Sequence, residues 1–283
     1  MNARDPVAAP ARPGASHAFG GPRAPGAPGV THAPVALGEA KAWTELHEQA
    51  SARYRGAGRF AWHFARGKLG RDPVFRTLLA AGLVPPGARL LDIGCGQALL
   101  ASLLDACDVL AARGQWPLAW PAPPTDVRYT GIELMARDVA RAQSALSGLP
   151  REAQVRAGDM RTAAFEPCDV VVILDVLHYV DIAAQDAVLG RVRDALAPSG
   201  RLLLRVGDAS RSFGFAASQW VDRLVTAARG HRAAPTWGRT LAQWTAALQA
   251  LGFDVHARPM SRGTPFANVL LVCDRVPRQE ADA

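Results

Sequence analysis

Four acidic residues, Asp92, Glu133, Asp159 and Asp175, stand at or just beyond the ends of short apolar runs. Carboxylates placed this way can accept hydrogen bonds from a ligand, because an open parallel sheet binds its ligands beyond the carboxyl ends of its strands. The first of them opens the stretch "DIGCG", residues 92 to 96. Gly94 and Gly96 permit backbone angles that other residues avoid, and they let a ligand come into van der Waals contact with the main chain. The loop is not a dinucleotide fingerprint. That would read GxGxxG, whereas residues 94 to 99 read "GCGQAL", and Glu133 follows Gly96 by 37 positions (133 − 96) rather than roughly 20. The missing "GK[ST]" excludes a P-loop. Asp159 taken alone reads equally well as a turn aspartate. His178 follows Asp175 by three residues and brings an imidazole to the same end of the sheet.

These residues need a scaffold, and the chain predicts one in which strands and helices alternate. Pro85, Pro86 and Gly87 punctuate the chain ahead of a buried strand at 88–93. A helix at 97–112, a strand at 127–133, a helix at 134–146 and a short strand at 154–158 follow. "DVVVILDVL" at 169–177 is nearly all apolar, as a central parallel strand covered on both faces must be. A helix at 182–197, closed by "APSG", leads into a strand at 201–207, helices at 215–228 and 240–251, and strands at 253–258 and 268–274. Ahead of the sheet, 39–55 reads as a helix and 60–81 as one or two more. The alternation implies an α/β, doubly wound, mainly parallel sheet with right-handed crossovers. Residues 113–125, "RGQWPLAWPAPPT", are a proline-rich insertion with two tryptophans, read as a packed loop in preference to a partner surface.

With 283 residues, 49% of them apolar, the chain has ample material for one large core. Residues 1–36 carry seven prolines and no apolar period, and are expected to form a disordered tail. Those prolines interrupt every candidate signal peptide, and no apolar run reaches membrane-spanning length, so a cytoplasmic location and no membrane partner are expected. Cys95, Cys107, Cys168 and Cys273 form no CxxC pair, which argues against a zinc site or a disulfide scaffold. The net charge of +7 comes from scattered residues, nearly all arginine, and argues more for a solvated surface than for a nucleic-acid partner.

Taken together, "LLDIGCGQALL", "YTGIEL", "AGDM", "CDVVVILDVLHYV" and "LAPSGRLLLRV", in this order, resemble the successive motifs of the class I S-adenosylmethionine-dependent methyltransferases. The resemblance implies a Rossmann-like, seven-stranded sheet with an antiparallel C-terminal strand. It divides residues 37–283 into N-terminal lid helices (37–84), a cofactor-binding core (85–207), substrate-side helices (208–250) and closing strands (251–276). It further implies S-adenosyl-L-methionine as cofactor. Gly94 and Gly96 would lie against its methionine part, and Asp92 would orient the loop or receive the ammonium through water. Glu133 would take both ribose hydroxyls, Leu134 would cover the adenine, Asp159 would accept from the adenine amino group, and Met160 would pack on the ring. Asp175 lies where the methyl group should point. Arg66 and Lys68, on helices that close over the cofactor in similar proteins, would meet its carboxylate.

The acceptor is expected to be a small aromatic or acyl-derived molecule methylated on oxygen, bound by the pre-sheet helices and by 208–239. Tyr54, Phe60, Trp62, Phe64, Phe213, Phe215, Trp220 and Trp237 could wall such a site or simply pack in the core. His178 is a candidate base for a phenol, with packing preferred, and no metal site is expected. The alternatives are an RNA methyltransferase, suggested by the pI of 9.9 but lacking the Asn-Pro-Pro-aromatic signature, and a binding protein that has lost turnover. The faint similarity of 54–69 and 261–272 to methyltransferases of bacterial pigment and polyketide-type clusters favours the small-molecule reading.

Overall fold

The computed structural model describes residues 36–150, 152–209, 236–260 and 268–276. The tail, the helix expected at 215–228 with its aromatic residues, and most of the 261–272 stretch lie outside the described residues. Seven strands form one sheet in the order β3-β2-β1-β4-β5-β7-β6. They are β1 (Arg89–Ile93), β2 (Arg128–Glu133), β3 (Ala153–Ala157), β4 (Cys168–Leu174), β5 (Leu196–Gly207), β6 (Phe253–Pro259) and β7 (Asn268–Arg275). Strands β1 to β5 run parallel, and β7 runs antiparallel to both its neighbours. Chain order reverses between β1 and β4, so the glycine loop after β1 sits at the switch point where a doubly wound sheet opens a crevice.

Helices cover both faces. On one side α1 (Glu39–Ala52), α2 (Arg59–Arg71), α3 (Pro73–Ala80), α4 (Leu99–Ala112) and α5 (Ala136–Leu146) share a core with one face of β1, β2 and β4. On the other, α6 (Ile182–Ala195) and α7 (Leu241–Ala250) bury Val188, Val192, Trp244 and Leu248 against the alternate residues of β4, β5 and β7. β4 is buried on both faces, as its apolar run requires. The stretch expected to be one or two helices at 60–81 is two, because Pro73 cannot continue α2 but suits the first turn of α3, capped by Asp72 through the Val74 N–H. The "APSG" segment belongs to β5 rather than to a closing turn. Cys168 pairs with Leu196 and Val170 with Arg201, so residues 197–200 form a large bulge at the start of the strand.

The tryptophan insertion packs. Trp120 is buried, lies edge-on to Trp116 at 5.4 Å and donates its indole N–H to Glu39, while Trp116 donates to the Pro121 carbonyl. No described helix is long and apolar enough to cross a membrane.

Candidate active site

β1 ends in a turn that three interactions hold. The N–H groups of Gly94 and Cys95 both donate to the Ile132 carbonyl on β2, and the Gly96 N–H donates to Glu133 Oε2 at 2.8 Å. Both glycines have positive φ, 72° and 57°. At Gly94 a Cβ would lie 2.7 Å from both Val176 methyl groups, whereas at Gly96 it would meet nothing within 4 Å. Thus Gly94 is packed against the β4 side, and Gly96 faces open space. Ala98 also adopts a left-handed conformation, φ 56°, to start α4.

Two tyrosines support this loop, a task the sequence reading assigned to neither. Tyr54, expected as a wall of the acceptor site, is wholly buried, and its hydroxyl donates to the Gln97 carbonyl at 2.7 Å. Tyr129, fully enclosed on β2, donates its hydroxyl to Asp92 Oδ2 at 2.7 Å. Space for this packing comes from Gly131, where a Cβ would sit 2.7 Å from Cys95 Sγ and 3.1 Å from the Tyr129 ring. A tyrosine two residues before a strand glycine was the available signal.

Asp92 is 5% exposed, and burial pushes its carboxyl up to about 7; the Tyr129 hydroxyl lowers it and the neighbouring Glu133 charge raises it again. Burial and the same carboxylates push the Cys95 thiol up as well. Glu133, at the end of β2, accepts from the Gly96 and Met135 N–H groups, one on each oxygen. An ionised carboxylate offers about four acceptor sites, so it can serve a ligand as well as the loop. Leu134 beside it is 64% exposed, free to lie along a flat group.

Asp159 is bound by Arg161. Its carboxylate accepts from the Arg161 backbone N–H and from the guanidinium, which holds its carboxyl below the usual range. Any ligand amino group at Asp159 therefore shares the carboxylate with Arg161. Met160 packs at the edge of the second core, and its carbonyl accepts from Arg191.

Asp175 follows β4 with φ 59° and joins a charged quartet. Arg205 on β5, 2% exposed, bridges Asp175 and Asp72, while Lys68 Nζ lies 2.7 Å from Asp72 and 3.7 Å from Asp175. Burial pulls Asp72 and Asp175 upward, but Arg205 and Lys68 overcome it and hold both below their ordinary range. The quartet ties α2 and α3 to the ends of β4 and β5. Arg66 is exposed, and lies about 200° of helical rotation from Lys68 on α2. Lys68 is thus the residue of the pair that the helix brings to the sheet.

His178 sits in the one-turn segment Leu177–Tyr179, its ring 4.2 Å from that of Tyr179. Its carbonyl accepts the Trp237 N–H, and the buried Gln185 amide donates to the carbonyls of Leu177, Val180 and Trp237. Tyr179, Ile182 and Trp237 remain exposed beside it. Two surface clefts, of about 360 and 190 Å³, lie elsewhere: one beside α6 at 162–167, the other at the opposite, N-terminal ends of β1, β2 and β4.

A family profile described as "Methyltransferase domain" matches residues 61–258, more than half the chain. The chain belongs to that family. A carboxy-S-adenosyl-L-methionine synthase of Pseudomonas syringae pv. tomato is 29% identical over 133 residues, covering 45% of this chain and 48% of the relative. The chain therefore spans about half the length of the curated relatives it matches. At the level of fold, it resembles the pyocyanin biosynthetic protein PhzM, with a TM-score of 0.53, 19% identity, and 81% and 62% of the two chains covered. It also resembles magnesium protoporphyrin IX methyltransferase of Synechocystis PCC 6803 with bound SAH, with a TM-score of 0.50, 18% identity, and 84% and 100% covered.

S-adenosyl-L-methionine is the cofactor of this methyltransferase family, and the strand ends of this chain suit it. The open space at Gly96 and the adjacent carboxyl groups of Asp92 and Glu133 offer room and acceptors for a cationic ligand.

Proposed function

We propose that this methyltransferase-family chain binds S-adenosyl-L-methionine and transfers its methyl group to an oxygen of a small aromatic or acyl-derived acceptor. The observation that carries the cofactor half is the loop itself: an open face at Gly96, beside Asp92, with Glu133 fixed by the Gly96 N–H. The cofactor would supply a sulfonium methyl group, ready for in-line displacement. Gly96 would give its methionine part room, Asp92 would face its cationic end, and the Glu133 carboxylate would accept the ribose hydroxyls.

What remains for the protein is alignment. Holding the acceptor in line with the methyl group supplies as much as about 7–11 kcal/mol of the barrier without any base. The acceptor half rests on the rim formed by Tyr179, Ile182 and Trp237, an exposed apolar and aromatic edge at the β4 end, clamped by Gln185. Such an edge suits a flat, apolar molecule. A phenol would profit from His178 as a base, while a carboxylate would need none.

Calorimetric titration with S-adenosylmethionine, beside NAD(H), followed by a labelled-methyl screen of phenols and carboxylic acids, tests this reading. Binding of the sulfonium cofactor alone and label on an oxygen are the expected results. Label on RNA, or none on any small acceptor, would overturn the acceptor half. His178→Ala should leave cofactor affinity unchanged. A rate loss of about 10²-fold or more on phenols would identify a base, and near-full activity a packing role.

A further inference from the structure

The residues around Asp92 are acids almost without exception. Tyr129 and Glu133 face it from β2, Cys95 from the loop, and Tyr54 adjoins Tyr129 from the turn at 53–55. From β4 the paired residue is Val172, which carries no charge. Arg53 is the basic group that acts on the cluster, through Tyr54, and it is paired with Asp105 at 2.5 Å. Lys68 and Arg205 are engaged by Asp72 and Asp175. Among the described residues, then, the carboxylate of Asp92 is buried beside a second carboxylate with a single hydrogen bond, from Tyr129. A buried carboxylate with so little compensation takes up a proton until a cation arrives.

We propose that Tyr129 is a positioning residue for cofactor recognition: its hydroxyl fixes Asp92 Oδ2, so that the cofactor's cationic methionine end displaces a proton from Asp92 as it binds. The inference rests on the S-adenosylmethionine reading. In the free protein, Asp92 carries its proton on Oδ1 while Tyr129 donates to Oδ2. On binding, the proton passes to the buffer, Tyr129 keeps its own, and the carboxylate faces the cation. Tyr129 favours this exchange, because a donor to the carboxylate stabilises its ionised form.

Calorimetry of the full chain with S-adenosylmethionine between pH 5.5 and 7.0, in buffers of different ionisation heat, counts the protons. The ligand's α-ammonium, with an ordinary value of about 7.7–8.0, stays charged in this window. The wild type should release close to one proton at pH 6, and affinity should rise about tenfold from pH 5.5 to 7.0. Tyr129→Phe should move the profile upward in pH, so that more proton is released at pH 7 than by the wild type. His178→Ala should keep the wild-type profile. Asp92→Asn should flatten it, and decides the matter should Tyr129→Phe fail to fold. Binding that is pH-independent and proton-free, or a Tyr129→Phe profile identical to wild type, overturns the proposal and leaves the cofactor reading standing. No binding at any pH overturns both.

Discussion

The two glycines of the loop do different work, and one methyl group separates their roles. At Gly94 a Cβ meets the Val176 methyls at 2.7 Å, and φ is already in the left-handed region. Gly94→Ala should therefore lower stability by about 2–4 kcal/mol, the sum of overpacking and left-handed strain. Gly96 has the same conformational problem but no neighbour within 4 Å. Gly96→Ala should lower stability by only about 1 kcal/mol, while its methyl occupies the space kept for the cofactor and weakens binding at least about tenfold. Thermal melts and calorimetry on the pair check both halves. Equal stability losses with unchanged affinity would show that the open side of the loop is not the binding face. The same residues show what the sequence made legible. Asp92, Glu133 and Asp175 stand at the ends of apolar runs, so their placement at one edge of the sheet followed from alternation alone. Tyr129 and Gln97 were not legible as supports, because the partner of each lies at least 37 positions away and only the folded chain brings it near.

At the scale of elements, the charged quartet joins what the sequence presents as separate pieces. Asp72 caps α3, Lys68 closes α2, Asp175 follows β4, and Arg205 lies within β5. An arginine inside "RLLLRVG" was the visible sign that a buried cation needed anionic partners, but the sequence did not say which. Breaking such an arrangement on one side leaves buried charge without a counter-ion, which typically costs about 3–5 kcal/mol. Arg205→Met should thus destabilise strongly, since Lys68 alone cannot neutralise both carboxylates. Adding Asp72→Asn and Asp175→Asn to Arg205→Met should restore most of the loss, because asparagine still caps α3 and the one charge left in the quartet, Lys68, is partly exposed to water. Denaturant melts of the single and triple variants measure this. A triple variant as unstable as the single one would mean that shape, rather than charge, holds α2 and α3 to the sheet. The bulge at the start of β5 and the break between α2 and α3 show how element boundaries escaped local reading. In the first, pairing with β4 overrode a turn-like "APSG"; in the second, a proline started a helix instead of ending the pattern.

For the whole molecule, the acids divide into two groups that act on stability in opposite directions. Asp72, Asp159, Asp175 and Asp169, which on β4 pairs with Arg89 of β1, are held below their ordinary range, so the stability they give is present above about pH 4 and is lost as the pH falls through their depressed values. Asp92 is raised from the ordinary aspartate value to about 7. Between those limits the folded chain binds more protons than the unfolded one, so this residue makes stability decline as the pH rises, by roughly 2–4 kcal/mol in all. The free protein should accordingly be most stable on the acidic side of neutrality, near the lower end of that window. Asp92→Asn, neutral at every pH and able to accept the Tyr129 hydrogen bond, should melt several degrees higher than the wild type at pH 8 and nearly with it at pH 5. The same substitution should weaken cofactor binding, because a neutral amide replaces the carboxylate that answers the cation. Saturating S-adenosylmethionine should recover the wild type at pH 8 and leave Asp92→Asn little changed, since a ligand that binds only the folded state raises its stability. Parallel melting curves for the two proteins at pH 5 and 8 would place the strain of this site somewhere other than Asp92. A crossing on cofactor addition would identify the acid whose burial destabilises the free chain as the one that prepares it for a cation.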